Sequence, residues 1–177
     1  LQPWRKRWLM EHQVGAAPGK GMPDVAFFLQ ALAEATLLQG MPAFLLLLDR
    51  VKCFDRVVRT LLFCLYSAVG CPEEIVSARR RWYDEIQPRF KLRGTFGEII
   101  PYGNGVLQGC CFSIDDANLL LSVWVRRQLL VVPAPLRLCI DDTSGLYNSA
   151  QQIADSLVCS EQFDLFSGQL TSGEKSA

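Results

Sequence analysis

Two aspartates stand side by side in LCIDDTSGLY, residues 138 to 147, and a third, Asp49, closes the leucine run 45 to 48. Asp141 and Asp142 fall in a segment that otherwise reads as strand, where adjacent carboxylates have little reason to be unless a cation meets them. A carboxylate that ends a buried strand needs a partner too. If the two strands are neighbours in one sheet, three carboxylates converge at one edge. That set suits two divalent cations roughly 3.5–4 Å apart, clamping the attacking and leaving oxygens of a phosphoryl transfer. Hard oxygen ligands without histidine favour Mg²⁺, with Mn²⁺ as a substitute. Plainer readings stand beside this one. Aspartate suits hairpin turns because it bonds its own backbone, and Arg50 or Lys52 would serve Asp49 in a simple salt bridge. The single histidine, His12, reads as a surface or loop residue.

Periodicity and punctuation predict the elements that must position these acids. Asp24 caps a helix through VAFFLQALAEATLLQ, closed by Gly40. AFLLLLD, short, apolar and not alternating, predicts a fully buried strand ending at Asp49. A helix is expected from about Phe54 to Val69 with Gly70 as its C-cap. Pro72, Glu73 and Glu74 open another through IVSARRRWYDEI. RFKLRG and FGEIIPYG alternate like the strands of a hairpin. A loop at 103–109 leads into a long helix from about Ile114 to Leu130, broken by Pro133 and Pro135. Next comes the LRLCIDD strand, with both aspartates at a hairpin tip, then a helix from about Ala150 to Phe166 ended by Gly168. The sum is α+β, with hairpins rather than regular βαβ repeats.

A length of 177 residues indicates one domain with room for a substantial core. Eighteen acids cancel eighteen bases, so polyanions must be met by local patches rather than by a global field. Such a patch is predicted where Arg79, Arg80, Arg81, Arg89, Lys91 and Arg93 cluster with Trp82, Tyr83 and Phe90, a mix suited to backbone contacts and base stacking. Consecutive arginines on a helix point in different directions, so part of this set is simply solvated. Seven cysteines without a C-x-x-C pair, one left over after pairing, argue against a secreted disulfide framework and for an intracellular protein, nuclear or cytoplasmic. No apolar run suits a signal peptide, and the stretch 43–48 is too short to span a bilayer. Leu1 in place of an initiator methionine suggests a piece of a longer chain.

The ordered set of motifs resembles the reverse transcriptases. LLLLDRVKCFDRV (45 to 57) is similar to their first catalytic motif, and GNGVLQGCCFS (103 to 113) to their glycine-rich second motif with Gln-Gly. CIDD (139 to 142) resembles their aromatic-x-Asp-Asp box, and FSGQLTSGEKS (166 to 176) the following segment ending in a lysine. EHQVGAAPGKGMPDVAFFLQ (11 to 30) resembles the fingers segment before the first motif. The resemblance implies a palm-like antiparallel sheet packed by helices over 41–177, partial fingers over 1–40, and no thumb. It implies metal ligation by Asp49, Asp141 and Asp142, and Lys175 near the phosphates as a proton donor. Phe54 would stand against the sugar of the incoming nucleotide, where a ring excludes a 2′-hydroxyl; its plainer reading is a core residue of an amphipathic helix. Gln108 and Gly109 would shape the nucleotide pocket. The implied activity is RNA-directed DNA polymerisation from dNTPs on an RNA template and DNA primer. No membrane is involved, and the remaining fingers and thumb belong to a parent polyprotein.

The interval between the first two motifs resembles that of non-LTR retrotransposon or group II intron enzymes. Several positions depart from the family. Cys139 and Ile140 replace an aromatic and an alanine, Leu107 and Ile114 stand where prolines are usual, and Ala16 and Ala17 replace a Phe-Arg pair. Asp115 and Asp116 add charge near the nucleotide pocket. Such losses suit a divergent element, or an inactive retroelement remnant that keeps nucleic-acid binding without turnover.

Overall fold

The computed structural model describes residues 2–15 and 17–176. The expectations attached to Leu1 and Ala16 lie outside the described residues. In chain order the elements are α1 (Gln2–Arg5), α2 (Met22–Leu38), β1 (Phe44–Leu48), α3 (Arg59–Ala68), α4 (Glu73–Glu85), β2 (Arg89–Leu92), β3 (Thr95–Ile99), α5 (Ser113–Val131), β4 (Leu136–Cys139), β5 (Asp142–Tyr147) and α6 (Ala150–Ser167). β1, β5 and β4 form an antiparallel sheet in that spatial order, with Leu48 opposite Thr143 and Cys139 opposite Asp142. α2 packs on β5 and β4, α6 on β1 and β5, and α5 joins α6 to α3. This is an α+β, palm-like arrangement. Residues 12–14 pair along the far edge of β4, where the Val14 N–H donates to Leu138 O and the Leu138 N–H to His12 O, both at 2.8 Å. The strand that leads into Asp141 is therefore bonded on both sides.

α5 supplies the centre of the core. Leu119, Leu120, Leu121, Trp124 and Val125 are all fully buried. Trp4, in α1, stacks on Tyr66 at 5.3 Å between ring centroids and donates its indole N–H to Val69 O.

Four expectations need correction. β1 is buried on one face only: Leu46 and Leu48 point inward, whereas Leu45 and Leu47 are 49% and 40% exposed, because α2 packs on β4 and β5 instead. Residues 54–58 do not start a helix, since the carbonyls of Phe54 and Val57 accept from the Val106 and Gly105 N–H groups at 2.8 Å. Those acceptors are committed to a distant loop, and α3 begins only at Arg59. Asp24 is not the cap of α2; it lies three residues inside, its carboxylate accepting from the Gly21 N–H at 2.7 Å. The hairpin tip is Ile140–Asp141, one residue earlier than expected, and Asp142 is the first residue of β5. β2 and β3 form a separate ribbon with every residue exposed.

Candidate active site

The register that aligns β1 with β5 decides which acids meet. Leu48 pairs with Thr143, and Asp49 and Asp142 are the next residue on each chain segment beyond that last pair. Directly opposed residues in an antiparallel pair project to the same face with Cβ atoms about 4.5–5.5 Å apart. Burial raises the Asp142 carboxyl above its usual value, the negative charges of Asp141 and Asp49 raise it further, and Lys175 opposes them. Asp141 sits in the turn itself. Its charge acts on Cys53, whose thiol is pushed up to about 12 by burial first and Asp141 second.

A C-terminal segment completes the site from the other side. The Val51 N–H donates to Leu170 O and the Ser172 N–H to Asp49 O, both at 2.8 Å. This backbone pairing carries Lys175 to the acids, with its Nζ 3.4 Å from Asp49 Oδ2. Arg50, offered above as the partner of Asp49, turns the other way. It pairs with Asp164 at 2.7 Å and lies over the rings of Trp124 and Phe163. Lys52 is exposed and forms no ion pair among the described residues. The cation that meets Asp49 is Lys175, 126 residues away in sequence, beyond the reach of a local reading.

Three neighbouring carboxylates of all-oxygen donor type fit Mg²⁺ in chemistry. Among the described residues, though, no three His, Cys, Asp or Glu side chains are gathered closely enough to form a finished metal cluster. The acids are neighbours whose side chains have yet to converge.

The turn carrying Asp141 is braced by a residue that sequence reading passed over. Ile140 has φ +61°, an outlier for a β-branched residue. Gly15 lies against it so closely that a Cβ there would stand 2.6 Å from the Ile140 nitrogen. The Asn118 side-chain amide donates to Gly15 O at 2.9 Å and fixes that approach. The only hint in the sequence was a glycine in the otherwise strand-like HQVGA.

Phe54 lies half-buried in the turn before α3, packed against the core edge, so its plain reading as a helical core residue does not hold. The same turn receives the 103–109 loop, because Gly105, at φ +84°, brings its backbone against Asp55 where a Cβ would meet the Asp55 carbonyl at 2.7 Å. Phe54 and the Gln108–Gly109 turn are thus joined by backbone bonds. Gln108 is exposed, and Gly109 has φ +84° with open space beside it.

Arg79 must be withdrawn from the basic surface. It is buried, holds Asp116 through both carboxylate oxygens at 2.7 and 2.8 Å, and lies 4.6–4.7 Å over the rings of Phe112 and Tyr66. Arg80, Arg81, Arg89, Lys91 and Arg93 are exposed, as are Trp82 and Phe90, whereas Tyr83 is buried. The same ion pairs correct the reading of Asp115 and Asp116 as charge beside a nucleotide pocket. Asp115 meets Arg5 at 2.7 Å, and Asp116 accepts from the Tyr66 hydroxyl at 2.6 Å as well as from Arg79. Burial raises the Asp116 carboxyl while Arg79 and Tyr66 pull it back. These acids tie α5 to α1, α3 and α4.

No family model and no curated protein matches the sequence. Solved structures do. The chain is similar to apo telomerase from Candida tropicalis, with TM-score 0.74 and 13% identity over 99% of this chain and 34% of that one. It is also similar to telomerase from Candida albicans in complex with a TWJ fragment of telomeric RNA, with TM-score 0.71 and 15% identity over 100% of this chain and 31% of that one. The likeness extends to the fold: this chain shares the fold of the matched region of those telomerase structures. The chain spans about a third of the length of the structures it matches.

Proposed function

We propose that the chain carries the catalytic palm of an RNA-directed DNA polymerase. The observation that supports this most directly is that Asp49 and Asp142 lie just beyond the last β1–β5 pair, where the charges of Asp141 and Asp49 act on Asp142 and Lys175 sits at Asp49. Asp49, Asp141 and Asp142 would hold two Mg²⁺ ions. When bound, such ions stabilise the charge developing on the attacking and leaving oxygens of nucleotidyl transfer. Lys175, released from Asp49, would face the nucleotide phosphates and supply a proton to the leaving pyrophosphate. Phe54 would lie against the sugar and favour dNTPs, and the Gln108–Gly109 turn would border the base. The exposed set Arg80, Arg81, Arg89, Lys91 and Arg93 would track the backbones of an RNA template and a DNA primer. The spacing of the motifs supports a source in a retrotransposon or intron element.

Primer extension on an RNA template with Mg²⁺, comparing the chain with Asp141→Ala, tests this reading. Incorporation by the parent and none by the variant is the expected result. Equal incorporation by both would exclude these acids as the source of activity.

A second reading has its own support. Because the carboxylates have not converged and Asp49 already holds an ammonium group, a chain that keeps the fold and binds nucleic acid without turnover also fits. Retained RNA–DNA binding with no incorporation in either Mg²⁺ or Mn²⁺ would favour it.

A further inference from the structure

Three arginines are buried: Arg50, Arg59 and Arg79. Arg50 and Arg79 each meet a carboxylate at 2.7 Å. Arg59 does not; among the described residues no acid comes within ion-pairing distance of it. A largely covered guanidinium without a counter-charge favours an anion beside it. Arg59 is only 9% exposed, yet it is held in place by neutral groups alone. Its two terminal nitrogens donate to the carbonyls of Tyr83 and Tyr102, and its carbon lies 5.0 Å from the centre of each tyrosine ring. Those contacts fix the plane of the fork and use two of its five N–H donors, leaving the others free for a ligand.

The group so positioned faces a cavity. Arg59 lines an open pocket of about 460 Å³ together with Arg80, Thr60, Tyr83, Asp84 and Tyr102. Arg80 brings a second guanidinium, 5.4 Å over the Phe63 ring. Arg59 is also the first residue of α3, whose first turn contains no acid and whose N-cap supplies no side-chain hydrogen bond. Helix N–H groups that lack partners favour an anion. Two arginines, a hydroxyl and a bare helix start therefore converge on one polar pocket, with Asp84 as the single opposing charge.

We propose that this pocket is a phosphate site, in which Arg59 and Arg80 grip a phosphodiester of a nucleic-acid backbone. Naming the backbone as the source of the phosphate rests on the polymerase reading above. Its position supports that source. Arg80 and Arg81 are consecutive on α4, and Tyr102 follows directly on the β2–β3 ribbon that presents Arg89 and Lys91. Arg59 acts as a preset fork and Arg80 as a mobile arm that closes over the phosphate.

The test uses the whole chain, with binding of a 16-base-pair RNA–DNA duplex and of inorganic pyrophosphate measured across a salt series. Arg80 and Asp84 are exposed, so Arg80→Gln and Asp84→Asn leave the fold standing, and Arg59→Lys adds a variant that keeps charge but loses the fork. Arg80→Gln is expected to weaken duplex binding about 3- to 10-fold and to lower the salt slope by roughly 0.7–0.9. Asp84→Asn, by removing the opposing charge, is expected to strengthen it. Variants that bind duplex as the parent does, with unchanged salt slope, would overturn the phosphate site. Primer extension lost in Asp141→Ala would still leave the polymerase reading intact. Changes confined to pyrophosphate would overturn the backbone assignment, because they would mark a site for free phosphate.

Discussion

Arg79 and Asp116 show how one residue type can mean opposite things a few positions apart. Arg79, Arg80 and Arg81 are identical in sequence terms, yet helical geometry turns the first into the core and leaves the other two in water. The burial of Arg79 was not legible because its partner lies 37 residues away on α5. Removing one side of such a pair strands a buried charge, so Asp116→Ala should cost about 3–5 kcal/mol in urea unfolding. A loss below about 1 kcal/mol would mean that water reaches the pair. Cys53 offers a test by pH. Its thiol lies near 12 in the folded chain against an ordinary value of 9.0. Below pH 9 both states keep the proton and it contributes nothing to pH dependence. Between 9 and 12 the unfolded chain binds fewer protons than the folded one, so stability falls as pH rises, by up to about 1 kcal/mol per unit. Urea midpoints should therefore drop more steeply from pH 9 to 11 in the parent than in Cys53→Ala. Equal slopes would mean that the folded chain does not raise the Cys53 thiol by burial and neighbouring charge.

At the scale of elements, periodicity carried most of the fold. α4, α5, α6 and the β2–β3 ribbon fall within a few residues of their expected bounds, because glycine, proline and acid punctuation marks their ends. The late start of α3 has a definite cause, namely backbone groups claimed by distant chain. Residues 54–58 have helix-compatible side chains, but the carbonyls of Phe54 and Val57 belong to the 105–106 loop. Neither sequence pattern nor propensity records such a bond. The loop itself depends on Gly105, where φ is +84° and no room exists for a Cβ. Gly105→Ala should therefore cost about 1–3 kcal/mol and free the Gln108 turn, giving early amide exchange at Val106 while Leu120 stays protected. Uniform exchange across the chain would show that the loop is not a separate unit. Gly15 makes the same point for the turn at Asp141: its role comes from the approach of residues 12–15 to β4, a long-range pairing invisible in a local window.

For the molecule as a whole, the apolar surface is the quantity that needs explaining. Leu38 and Phe27 on α2 are 88% and 76% exposed, and Leu165 and Phe166 on α6 are 89% and 63% exposed. Near α6 this surface continues into a largely apolar groove of about 1040 Å³ bordered by Leu46, Leu48, Leu157 and Leu170. This chain spans about a third of the length of the telomerase structures whose fold it shares. Side chains exposed in this way contribute little to the stability of the unit but drive association between copies. The double variant Leu165→Gln with Phe166→Ser should therefore keep its urea midpoint within about 0.5 kcal/mol of the parent. It should also reduce dye binding to apolar surface and light scattering at high concentration. A loss of 2 kcal/mol or more would instead mean that α6 buries these residues in solution, and that the groove beside it is closed by the chain's own side chains.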